Sequence, residues 1–107
     1  MSLPREANLY VQLIETIATA HSLHHCQQVE EANRVEAEAE DLRRHLLDMA
    51  EMMEQAAQAR KDDSRGPMAK RAAELRLLLA PEMIRFQCEV YALGAQYAFQ
   101  ESAITVH

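Results

Sequence analysis

Between Ala32 and Ala56 the apolar positions recur at spacings of three and four: Ala32, Val35, Ala39, Leu42, Leu46, Met49, Met53 and Ala56. Such spacing keeps a narrow apolar stripe on one side of a helix, the pattern of a helical seam. Continued backward in the same frame, the stripe passes Gln28, His25 and His21 before regaining Ala18, Ile14, Val11 and Ala7. No Gly and no internal Pro interrupts the chain from Pro4 to Lys61. The pattern therefore predicts a first arm over residues 4–61, a single helix about 85 Å long at ~1.5 Å per residue.

A second stripe follows: Met68, Ala72, Leu75, Leu79, Met83, Phe86, Val90, Leu93 and Tyr97, with Ile104 in phase. It predicts a second helical arm over 67–105, with the turn at 62–66. That turn lies in "KDDSRGP", where Asp, Ser and Gly stop one helix and Pro67 suits the first turn of the next. Pro81 falls inside a 4,4 step of the second stripe. A proline there removes a backbone hydrogen bond and crowds the preceding turn, so the second arm should kink or break at Pro81. The fold class is all-α, a long antiparallel helical hairpin within a single domain spanning residues 1–107.

The arms are unequal. Folded back around residues 63 and 64, the second arm ends opposite residues 20–25, and the first arm overhangs it. The overhang carries Leu9, Tyr10, Leu13, Ile14 and Ile17, too contiguous an apolar surface to leave in water. A homodimer that buries these residues in a dimeric helical bundle is the expected solution. The alternative is a bend of the first arm near "HSLHHCQQ", closing a three-helix bundle within one chain.

Composition agrees with helices. Two Gly, three Pro and no Trp leave a chain dominated by helix formers. The net charge of -6 argues against nucleic acid as a partner, because phosphate contacts need basic residues. Charge is unevenly placed, with nine acids in residues 27–54 and six bases in residues 60–76, which should leave the turn end positive. Cys26 and Cys88 are isolated, without metal-knuckle spacing, which fits a reducing compartment. The opening "MSLPREANLY" lacks a signal-peptide pattern, and no window is apolar enough to span a bilayer, so a cytoplasmic chain without a membrane segment is expected.

The chemistry that stands out is "HSLHHC", residues 21–26. On a helix His21, His24 and His25 share one side, so two imidazoles could hold a Zn, Ni or Cu ion, with the C-terminal His107 brought near by the fold-back. In the seam frame His21, His25 and Gln28 instead form a polar layer that sets register. Three imidazoles this close would also repel one another once protonated, the basis of a pH-responsive sensor. His45 lies between Asp41 and Asp48, a spacing more typical of solvated ion pairs than of a catalytic base. No Glu-x-x-His, HExxH, GxxxxGK[ST] or GxSxG occurs. The expectation is a protein without enzymatic activity or obligatory cofactor, a helical interaction module working as an adaptor, regulatory subunit or small chaperone. A metal- or pH-responsive sensor is the competing reading.

Overall fold

The computed structural model describes residues 5–60 and 66–105, with side-chain surroundings as far as Gly94. Four helices follow one another: α1 (Arg5–His25), α2 (Val29–Ala59), α3 (Pro67–Leu78) and α4 (Pro81–Thr105). The chain is all-helical, with no strand among the described residues. Four helices do not make the three-helix bundle weighed above, and the first arm is two helices rather than one.

The break falls within "HSLHHCQQ", where the alternative reading placed a bend, and it is a backbone motif rather than a turn-residue signal. Gln27 has φ 63, in the left-handed region that favours glycine. Its N–H bonds the His24 carbonyl at 3.0 Å, and the Gln28 N–H reaches back to the Leu23 carbonyl at 2.9 Å. This pair of bonds is the Schellman closure of a helix C-terminus, with glutamine in the place glycine usually takes. Helix α2 then opens at Gln28 with no side-chain cap, Glu30 and Glu31 lying in its first turn where their charge suits the helix dipole.

The other boundaries follow sequence signals. Gly66, in extended conformation, precedes Pro67 at the start of α3. Residues 62–65 of the expected turn lie outside the described residues. At the second break the Ala80 N–H bonds the Leu77 carbonyl, and Pro81 starts α4, where its missing N–H costs nothing.

The core is built by α1, α2 and α3. Leu13 and Leu46 are fully buried, joined by Tyr10, Ile14, Ala39, Ala50, Leu75 and Leu79. In α2 the predicted seam is largely the observed one, since Ala32, Val35, Ala39 and Leu46 are buried while Leu42, Met49 and Met53 pack against the cluster. In α1 it is not. The frame carried back through the break would bury Val11, which is 46% exposed, and His21, His25 and Gln28, all of them exposed. Helix α1 presents Tyr10, Leu13, Ile14 and Ala20 instead, because a helix of ~3.6 residues per turn drifts about 20° per heptad out of a strict seven-residue frame.

Two polar contacts fasten α1 to α3. The Tyr10 hydroxyl donates to the Leu78 carbonyl at 2.8 Å, satisfying an acceptor that the break before Pro81 strips of its helical partner. Arg71 donates to Glu6 from Nε and Nη2 at 3.0 and 2.5 Å. Arg76 likewise clasps Glu54, tying α3 to α2. Helix α4 leans on α1 through Ile84 and Cys88 and otherwise extends away. The radius of gyration is 17.1 Å, against about 13 Å for a compact chain of this length.

Candidate functional site

Because α4 meets the body through one face only, a groove of about 930 Å³ opens between it and the second half of α1. Ile17 and Leu23 line one wall, Ile84 and Tyr91 the other, with Arg85 and Glu89 among the few charged groups. Among the described residues neither Arg85 nor Glu89 forms an ion pair.

The opposite side of α4 is apolar as well. Phe86, Val90 and Leu93 lie one helical turn apart and are 56%, 47% and 66% exposed. By helical phase they stand across the helix from Ile84 and Cys88, the residues that pack on the core. Glu82 and Glu89, both exposed, border this stripe on one side. The sequence pattern had placed these three in the hairpin seam. They leave it because the break at Leu79–Ala80 turns the stripe off α2, and the 4,4 step around Pro81 is the signal that marks the departure.

The residues expected to form a dimer face lie elsewhere. Tyr10, Leu13 and Ile14 are buried within this single chain, and Leu9 and Ile17 pack against the same cluster. With the first arm turned back at Cys26, these residues are covered within their own chain.

The histidines separate. His24 Nε2 meets Glu36 Oε1 at 2.6 Å, linking α1 to α2 beside the turn. His21 lines both the large groove and a smaller cavity of about 320 Å³ that His24 and Glu36 also line. His25 is exposed at the end of α1, and His107 lies outside the described residues. Among the described residues no three His, Cys, Asp or Glu side chains gather where they could hold a metal ion. His45 makes no side-chain hydrogen bond to Asp41 or Asp48 among the described residues, and those residues contain no helix long and apolar enough to cross a membrane.

Burial acts on the protonation of three groups. It pushes the Cys88 thiol above its ordinary value, keeping it protonated and a poor nucleophile. It also raises the Tyr10 phenol, with a smaller contribution from Cys88 nearby. Burial acts to raise Glu6 too, but the Arg71 hydrogen bond, together with Glu6's own backbone bond and the Arg71 charge, leaves its carboxyl below the usual range.

No protein-family model, curated protein or solved structure matches this chain.

Proposed function

We propose that this chain is a helical protein–protein interaction module whose recognition surface is α4, and that its partner presents an amphipathic helix with basic borders. One observation carries the reading: the Phe86–Val90–Leu93 stripe is apolar, contiguous and solvent-exposed on a helix already anchored by its other face. Helices that are apolar on two opposite sides bridge two surfaces, and only one of the two lies among the described residues of this chain.

Glu82 and Glu89 along the stripe, in a chain of net charge -6, favour Lys or Arg at the borders of the docked helix. Helix-in-groove recognition of this kind needs no catalytic group. The reading accords with an adaptor, regulatory subunit or small chaperone.

The test uses two fluorescent synthetic helices, each with Leu along one face, one bordered by Lys and the other by Glu. Anisotropy should show saturable binding of the Lys peptide, weakened at least tenfold by Leu93→Glu and by raised salt. Equal affinity for both peptides, or binding that Leu93→Glu leaves unchanged, would remove α4 as the recognition surface.

A further inference from the structure

We infer that α1 is exchangeable between copies: the turn at Cys26–Gln28 straightens into continuous helix, and α1 then packs on α2 and α3 of a second copy to form a two-fold swapped dimer. This goes beyond the α4 reading and is independent of it.

The turn is held in a conformation that its own residues do not favour. Gln27 occupies the left-handed region without being glycine, and α2 begins without a side-chain cap. Cys26, Gln27, Gln28 and Val29 contain no Gly and no Pro, so nothing in their covalent structure forbids a helix through them. Straightening removes the left-handed residue and restores the regular hydrogen-bond ladder across the junction. Short hinges under strain are where exchange of whole elements occurs.

The contacts that hold α1 on the core can be remade in trans. Tyr10 to the Leu78 carbonyl, Glu6 to Arg71, and Leu13 and Ile14 against Leu46 and Leu75 all join α1 to later parts of the chain. A second copy offers the same acceptors and the same core. The antiparallel relation of α1 to α2 is kept when two straightened arms lie head to tail. Exchange thus preserves the core and relieves the turn, at the cost of association entropy, and concentration governs the balance. The dimer it forms buries Leu9, Tyr10, Leu13, Ile14 and Ile17 between chains, the residues whose apolar run first suggested a dimer.

Two variants bias the turn in a known direction. Val29 is the first residue of α2, and Gln28 before it has φ -91 and ψ 70, a non-helical conformation that accepts a following proline. Val29→Pro therefore fits the bent chain and breaks the straight one, while Gln27→Gly eases the left-handed position. Sedimentation velocity over a concentration series should show a dimer for the wild-type chain and its loss in Val29→Pro and Gln27→Gly, both remaining helical by circular dichroism.

A mixing experiment identifies the element exchanged. Chains carrying Glu6→Arg and chains carrying Arg71→Glu each place like charges together in cis or in their own swapped dimer. Mixed, they regain opposite charges only if α1 crosses between them. Heterodimer in clear excess over the statistical half supports exchange. A wild-type chain that stays monomeric, a Val29→Pro dimer as strong as wild type, or a purely statistical mixture would each overturn it. None of these outcomes bears on whether α4 binds a Lys-bordered helix.

Discussion

Tyr10 shows how a single side chain can secure a joint between helices. Its ring is buried in the core and its hydroxyl caps the Leu78 carbonyl at the break ahead of Pro81. Tyr10→Phe keeps the ring and leaves that carbonyl short of a partner, so urea denaturation should report a loss of about 1–2 kcal/mol. Because burial raises the phenol's pKa, its contribution is complete below the ordinary value near ~10 and fades as pH climbs through the raised one. Tyr10→Phe should accordingly flatten part of the alkaline loss of stability. Gln27 is the opposite kind of residue, held where its side chain is a burden. Gln27→Gly relieves a left-handed non-glycine position that costs roughly 1–2 kcal/mol and incurs part of that in added chain entropy, a net gain of about 0.5–1 kcal/mol. In a continuous helix the same substitution would cost about 1 kcal/mol, so the sign of the shift in Tm separates the two conformations. Gly66–Pro67 and Pro81 were readable in the sequence because their backbone restrictions are intrinsic. Gln27 was not, because its conformation comes from the way α1 packs on α2 and not from the residue itself.

At the scale of the helices, the 3,4 pattern of α2 described its buried face well because α2 is one uninterrupted helix with a single phase. Extending that seven-residue frame into α1 placed Val11, His21 and His25 inward, and all three are exposed, because a straight helix drifts out of such a frame over several heptads. Leu9, Tyr10, Leu13, Ile14 and Ile17, expected as an interface, lie in or against the core cluster of their own chain. Substitution should follow the observed faces. Leu46→Ala removes a fully buried side chain and should cost about 2–5 kcal/mol, whereas Val11→Ala, on the exposed side of α1, should stay within about 0.5 kcal/mol by thermal melting. For α4 the stripe was readable and its fate was not. Periodicity says which positions share a face, and only the direction taken after Leu79 decides what that face meets.

Over the whole molecule, three helices enclose a core and the fourth stands partly clear of it, which leaves the long axis at 58 Å. The body is laced by ion pairs between helices: Glu54 with Arg76, exposed on both sides and therefore modest, and Glu6 with Arg71, whose carboxylate side is largely covered. Arg71 nevertheless holds Glu6 below the ordinary carboxylate range, so the stability it contributes is present above that range and is lost as pH falls through the lowered value. Glu6→Gln should remove that part of the acid sensitivity, visible as a flatter dependence of Tm on pH below neutrality. The uncovered face of α4 and the strained turn at Gln27 are the two features from which the proposed partner helix and the proposed exchange between copies are argued.

All of this depends on the first arm turning back at Cys26–Gln28. The most direct measurement is the distance between spin labels at Gln12→Cys and Arg44→Cys, both exposed positions, in a chain whose Cys26 and Cys88 are replaced by serine and diluted with unlabelled protein. In dilute solution the folded-back arm predicts a separation of roughly 20 Å, about two helix diameters. A distance near 48 Å, the length of about 32 residues of straight helix, under the same dilute conditions would contradict it.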